Sequence, residues 1–374
     1  MVLSSYVGAT VKRKEDPRLI TGSSTYVDDL QLPGMLHLAF VRSTLPHALI
    51  KGIDASAALE MPGVVAVVTA ADLKKVLKDF YVDATAGETG EDAPEAAAAD
   101  DKIPVPKVLP LADKKVRYVG DPVAAVIAET RAQAEDAVQF VEVDYEPLPA
   151  VFDADEAKKP GAPQLYDEVP NNISVREASV HGDVDAALAS APIKVKAKIR
   201  APRCAPAAME PRGVVAAPDP ITGGVTFWSS TQAPHWNRNA VADALGLSQN
   251  QVRCIAPEVG GGFGSKIGAY PEDFVVTAAA VLLNRPVKWI ESRSENFLAT
   301  NHGRNQWGEF EVGADKNGKV TALRARITLD SGAYPKALDL AWATWVMATG
   351  PYEIPNLDYM VEGVYTNTVT NGAY

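Results

Sequence analysis

The sequence predicts a small α+β domain followed by an α/β one, and three observations carry that reading. Between residues 193 and 290, strand-like apolar runs alternate with helical ones, the order of an α/β layer. Within that region lies the stretch 257–273, PEVGGGFGSKIGAYPED, which holds Gly260, Gly261, Gly262 and Gly264, broken only by Phe263. Further on, residues 307–330 alternate apolar and polar around Asn317–Gly318, a strong hairpin pair.

In chain order, MLHLAFVRS from Met35 reads as a strand, and Asp54 caps a short helix. GVVAVVTAADL from Gly63 is a buried strand running into another helical turn. The segment 83–101 is acidic, Ala-rich and aperiodic, a solvated insert. Strand character resumes at Val116, a helix covers 131–140, and VEVDYEPL closes a domain over 1–146. His37 and His47 are expected to be structural. Residues 147–172 read as a linker rich in Pro, Asp and Lys.

The second domain, 173–374, opens with a helix after His181–Gly182, then the strands IKVKAKIRAP, RGVVAAP and GVTFWSS. Pro234 starts a helix that Gly246 stops, and QVRCIA is a short strand feeding the glycine run. After Pro271, EDFVVTAAAVLL is apolar on nearly every face, so a buried helix is expected. Trp342 and Trp345 fall in an apolar segment and are expected in the core.

Composition narrows the function. The chain has 374 residues, 47% of them hydrophobic, and a formal net charge of −11, with no basic cluster to suit nucleic acid. There is no stretch of membrane-spanning length and no signal-peptide core, so the cytoplasm is the expected compartment. Cys204 and Cys254 stand far apart without a C-x-x-C, which leaves no iron–sulfur or zinc cassette here and makes them small buried residues.

A glycine run loses conformational entropy on folding and needs a reason, either backbone at positive φ or backbone brought close to something bulky. Between a strand and a helix, it points N–H groups and a helix N-terminus at an anion. The dinucleotide fingerprint fails because Ile267 stands where its third glycine belongs, and the Walker pattern fails around Lys266. The alternative is a tight turn that lets a helix cross close to a sheet. Ligands collect at the carboxyl ends of strands in such sheets, so the loop around Gln232 and the glycine loop are expected to share one crevice.

Four motifs occur together in order: APAAMEPRGVVA (205–216), SSTQAPH (229–235), GGGFGSK (260–266) and RPVKWIESRSENF (285–297). With them the chain resembles the amino-terminal half of the large, molybdenum-binding subunit of the xanthine oxidase family of hydroxylases. STLPHALIKGIDASAALEMPGVVAVVTAADL resembles that family's α/β hammerhead domain, and the leaning is toward carbon monoxide dehydrogenase-like and aldehyde oxidoreductase-like branches. The resemblance implies a molybdenum–molybdopterin cofactor, often the cytosine dinucleotide, with 2Fe-2S and FAD on partner subunits. It places Gly261, Gly262, Phe263 and Gly264 against the cofactor and Gln232 as a hydrogen-bond donor beside molybdenum, with no direct protein ligand to the metal. The competing role for Gln232 is a cap on the following helix.

Two departures bear on the reaction. Ile267 replaces the glutamate of purine-hydroxylating relatives, so purines are disfavoured. The sequence ends at Tyr374, ahead of the family's active-site loop and general-base glutamate, and neither Glu210 nor Glu258 takes that role. The expectation is therefore half of a hydroxylase, inactive alone, completed by the carboxy-terminal half of the large subunit, an iron–sulfur small subunit and an FAD-binding medium subunit. The expected substrate is an aldehyde, with carbon monoxide or an N-heterocycle as alternatives. A truncated scaffold without catalysis is the competing class.

Overall fold

The computed structural model describes residues 8–78, 103–336 and 338–374; the insert at 83–101 lies outside them. The described strands form three sheets. The first uses β1 (Leu36–Arg42), β3 (Val64–Thr69), β5 (Pro122–Ala128), β9 (Gly213–Asp219), β10 (Gly224–Ser229), β11 (Val252–Ile255) and β12 (Val287–Ile290), in the order β11-β10-β9-β12-β1-β5-β3. The second takes β7 (Ile173–His181), β8 (Ile193–Ala201), β13 (Gln306–Ala314), β14 (Val320–Gly332) and β15 (Leu357–Tyr365), in the order β7-β15-β14-β13-β8. The third joins β2 (Ala48–Asp54) to β4 (Lys115–Val116) and β6 (Glu142–Pro147).

Sequence pattern accounts for most of this. Every residue of β5 is buried, as an unbroken apolar run between two covered faces requires. β13 and β14 pair antiparallel across the expected Asn317–Gly318 turn, where Gly318 has φ +84°. The expected helix after Pro234 spans Pro234–Leu245 and ends at Gly246 in the left-handed region.

The first sheet draws strands from both sides of residues 147–172, since β1 pairs parallel with β12 through Leu36↔Val287 and His37↔Lys288. The stretch expected to be a linker is packed instead. Leu165, Tyr166, Val169 and Asn172 are buried. The Asn172 amide bonds the carbonyls of Ala157 and Pro163, so an irregular chain satisfies its polar groups internally. Trp342 is also corrected: it is exposed, whereas Trp345 is half-buried and donates to Ser179 Oγ. Cys204 and Cys254 are half-buried rather than fully enclosed, and burial pushes the Cys254 thiol pKa up.

The apolar helix Pro271–Leu283 lies on β9, β10 and β12 with Phe274 through Ala280 buried. Its first turn also buries a charge. Glu272 accepts from Arg212 at 2.7 and 3.2 Å and from Arg42 at 2.8 Å. Arg212 reaches Glu291 at 2.6 Å, and Asn296 and Thr300 complete the Glu291 carboxylate at 2.8 Å each. The Arg212 guanidinium also sits 3.9 Å from the Tyr270 ring centroid. Burial alone would raise the Glu272 pKa, but Arg212 and Arg42 lower it from 4.5 to about 2. Asp121 works in the opposite sense, because burial raises its pKa from 3.8 to about 6 against hydrogen bonds from Tyr334 and the Arg117 N–H.

Removing one partner leaves a buried charge uncompensated, so Glu272→Gln should cost about 3–5 kcal/mol in a denaturant melt. The folded pKa of Glu272 is depressed, so its contribution is complete above pH 4.5 and is lost as pH falls toward 2. Wild-type stability should therefore drop across that window, with a shallower drop in Glu272→Gln. The opposing Asp121 contribution, which falls as pH rises from 3.8 to about 6, should be the same in both proteins.

Candidate cofactor-binding site

β10 and β11 run parallel side by side, Val225↔Val252 through Trp228↔Ile255. The chain leaves both at their carboxyl ends, one toward Gln232 and the other toward the glycine loop, so the two loops lie side by side. The two loops are bonded to each other. Gln232 N–H donates to Lys266 O at 2.9 Å, and Gln232 Oε1 accepts from the N–H groups of Gly264 and Lys266 at 2.9 and 3.3 Å. Only an amide oxygen can accept two backbone N–H groups, so the orientation of this carboxamide is determined and its Nε2 is the free end. Gln232 does not cap the following helix, whose start carries no side-chain cap, and its Oε1 is taken up by the glycine loop.

A buried clasp that the sequence reading missed closes the loop. Glu210 Oε2 accepts from Gly260 N–H at 2.8 Å, from Ser230 Oγ at 2.7 Å and from Lys266 Nζ at 3.0 Å. Lys266 Nζ also donates to Glu210 O and to Ser230 Oγ. One carboxylate thus holds the two ends of the loop, 260 and 266, together. Burial lowers the Lys266 pKa, and Glu210 opposes that shift. The available signal was that Glu210 and Lys266 both lie inside the quoted motifs. These contacts commit Glu210, and Glu258 pairs with Arg18, so neither is free to act as a base.

The glycines are needed mainly for close approach. A Cβ on Gly262 would overlap the Gln232 carboxamide, and one on Gly264 would meet the Ala373 backbone at 2.9 Å. Gly264 (φ +87°) and Phe263 (φ +51°) lie in the left-handed region, and Phe263 turns its side chain outward, 59% exposed. A helix–sheet crossing therefore does not explain the run.

Three consecutive N–H groups, on Gly261, Gly262 and Phe263, have no partner among the described residues. Together with Gln232 Nε2 they are a neutral set of unpaired donors, the kind of group that can hold an electron-rich, anionic ligand. The helix N-terminus expected to help does not. Asp273 accepts from Tyr270 N–H at 2.9 Å and from Ser229 Oγ at 2.7 Å, and Glu272 lies buried beside it. Two carboxylates in that first turn oppose any further anion. Among the described residues, no cluster of three or more His, Cys, Asp or Glu could hold a metal ion directly.

A family model of the molybdopterin cofactor-binding domain matches residues 165–374, and one of the aldehyde oxidase and xanthine dehydrogenase a/b hammerhead domain matches residues 21–149. The chain belongs to this molybdopterin-binding family of aldehyde oxidases and xanthine dehydrogenases. It is 38% identical over 378 residues to the nicotine 6-hydroxylase large subunit of Paenarthrobacter nicotinovorans, covering 100% of this chain and 44% of that one. It is 39% identical over 375 residues to the carbon monoxide dehydrogenase large chain of Hydrogenophaga pseudoflava, covering 96% and 44%. The crystal structure of quinoline 2-oxidoreductase from Pseudomonas putida 86 superposes with a TM-score of 0.87 at 33% identity, over 98% of this chain and 45% of that chain. The chain thus spans less than half the length of these relatives.

Gly262→Val should displace Gln232, because its side chain needs the space of the carboxamide. Gly268→Ala is the control: it shares a positive φ, but nothing lies within 4 Å of the added carbon. Amide exchange at Gly264 and Lys266 should rise at least about tenfold in the valine variant. It should stay near wild type in the alanine variant, whose strain cost is about 1 kcal/mol.

Proposed function

We propose that the chain is the cofactor-holding half of a molybdenum hydroxylase large subunit, with a hammerhead domain over 1–146 and the first part of the cofactor domain over 173–374. The observation that carries this is the free donor set, Gln232 Nε2 with the N–H groups of Gly261, Gly262 and Phe263, in a chain of this family. A molybdenum–molybdopterin, in our reading the cytosine dinucleotide form, would supply oxidation of a carbon–hydrogen bond with water as the oxygen source. Gln232 would orient it through Nε2 without adding charge, because Oε1 is already occupied. The backbone of Phe263–Gly264 would pack against it, and the Glu210–Lys266 clasp would keep that backbone rigid. The two electrons and protons released would leave through partner subunits carrying 2Fe-2S and FAD.

The preferred substrate class is an aldehyde, which with water yields a carboxylic acid, two electrons and two protons. Ile267 supports it: at the loop's end it presents a 36% exposed apolar side chain with no charge or acceptor for a purine. A second reading, hydroxylation of an aromatic N-heterocycle, is favoured by the similarity to nicotine 6-hydroxylase and quinoline 2-oxidoreductase. No helix among the described residues is long and apolar enough to cross a membrane, and we place the complex in the cytoplasm.

Molybdenum and pterin should be present at about one per chain in the complex from its native host, and Gly262→Val with Gly264→Val should remove most of both. Full retention would mean that the loop is a packing turn, and absence from the wild type would favour the scaffold. With an artificial electron acceptor, aldehydes should turn over faster than hypoxanthine or carbon monoxide; a faster N-heterocycle would select the second reading.

The half-subunit reading has its own test. Trp342, Val346, Met347 and Tyr352 are exposed, at 38, 52, 73 and 69%. Expressed alone, the chain should bind hydrophobic dyes, and in its host it should co-purify with the remaining large-subunit sequence, attached or separate. A monodisperse, cooperatively melting monomer that binds no dye would contradict this.

A further inference from the structure

Beneath the glycine loop, a small cavity is bounded by Arg212, Ser229, Thr231, Asn237, Lys266 and Asp273 among others. Asn237 lies in the Pro234–Leu245 helix and is 1% exposed, yet neither its Oδ1 nor its Nδ2 has a hydrogen-bond partner. A buried carboxamide left unpaired at both ends is costly, and folded proteins rarely tolerate it.

The hydroxyl and ammonium groups of the wall are already engaged. Ser229 Oγ donates to Asp273, Ser230 Oγ to Glu210 and Thr231 Oγ1 to Lys266 O, and the Tyr270 hydroxyl donates to Ser265 O. All three Lys266 protons are taken by Glu210 O, Glu210 Oε2 and Ser230 Oγ. None of these hydroxyl or ammonium protons is left for Asn237 Oδ1. Acceptor capacity does remain, since each Asp273 oxygen takes a single bond.

A small occupant that can both donate to Asp273 and bond the Asn237 amide suits the cavity, and a neutral one adds no charge beside Lys266, Arg212 and Asp273. The cavity is small, about 10 Å³, which suits a water molecule.

We propose that this cavity binds a single ordered water, and that Asn237 is a positioning residue that, through this water, braces Ser229 and Asp273 beside the point where the Gln232 arm meets the glycine loop. Both sides of the cavity belong to that unit. Thr231 and Lys266 line it, and the Lys266 carbonyl accepts from Gln232 N–H as well as from Thr231 Oγ1. The water would brace the point where the arm meets the loop. This holds whatever the loop binds.

The test uses the full protein in its native assembly. A structure at a resolution that shows solvent should contain one peak within hydrogen-bond reach of an Asn237 amide atom and of Ser229 or Asp273. Asn237→Leu, near-isosteric and without polar atoms, should expel the water. Amide exchange at Gln232 and Lys266 should then rise about tenfold, while β5 and β9 stay protected. An empty cavity, an ion with an anomalous signal, or an Asn237 turned onto a protein partner would overturn the water. Exchange that is unchanged, or faster everywhere, would overturn the positioning role. Should the leucine variant fail to fold, Asn237→Ser with the same exchange readout takes its place.

Discussion

The structure depends on one buried cation. Arg212 lies immediately before β9, with side-chain exposure of 4%, between Glu272 at 2% and Glu291 at 0%. These carboxylates come from the first turn of the Pro271–Leu283 helix and from the residue after β12, so one guanidinium joins a strand, a helix and a strand end. Charges in that setting repay their desolvation only when the geometry is close and every lone pair is met, and here Arg42, Asn296 and Thr300 meet the remainder. The helix following the glycine loop is thereby held at its N-terminus, and the loop inherits a fixed downstream end.

The candidate site uses the opposite chemistry. Its only buried ion pair, Glu210 with Lys266 among the described residues of the loop and its clasp, is spent inside the structure. What is left without a partner among the described residues is uncharged: three backbone N–H groups and one carboxamide N–H₂. Neutral dipoles held rigidly can favour an anionic, electron-rich group without fixing a full charge next to it, which suits a centre that must change its electron count. The rigidity comes from Glu210, which joins both ends of the loop, and from Gln232, which holds Gly264 and Lys266. Replacing a glycine therefore disturbs the protein's own contacts before it meets any ligand.

Several expectations turned on features that a linear pattern does not carry. Residues 147–172 looked free because they lack periodicity, yet Leu165, Tyr166 and Val169 are buried through side-chain capping by Asn172. Trp342 looked like core because it is apolar, but it lies on the outer face of a helix whose Ala341 is buried. Glu272 and Asp273 read as an ordinary acidic first turn, favourable to a helix dipole. Their burial follows from Arg212, sixty residues earlier in the chain at Glu272, and from Ser229 at Asp273.

β2, β7 and β15 were not read from the sequence, whereas local chemistry sufficed for most strands of the first sheet, the hairpin at Asn317–Gly318, the helix starts at Pro234 and Pro271, and the choice of Gln232 and the glycine run as neighbours. Each of these rests on short-range terms: apolar periodicity, fixed φ at proline, and the lack of a Cβ at glycine. Tertiary structure alone decided which way the Gln232 amide points, which loop N–H groups stay free, and that the helix N-terminus is closed to anions. Those outcomes depend on contacts between residues twenty to sixty positions apart, Glu210 with Ser230, Gly260 and Lys266, and Gln232 with Gly264. No spacing rule encodes such contacts, because they form only when β9, β10 and β11 are laid side by side and bring their loops to the same edge.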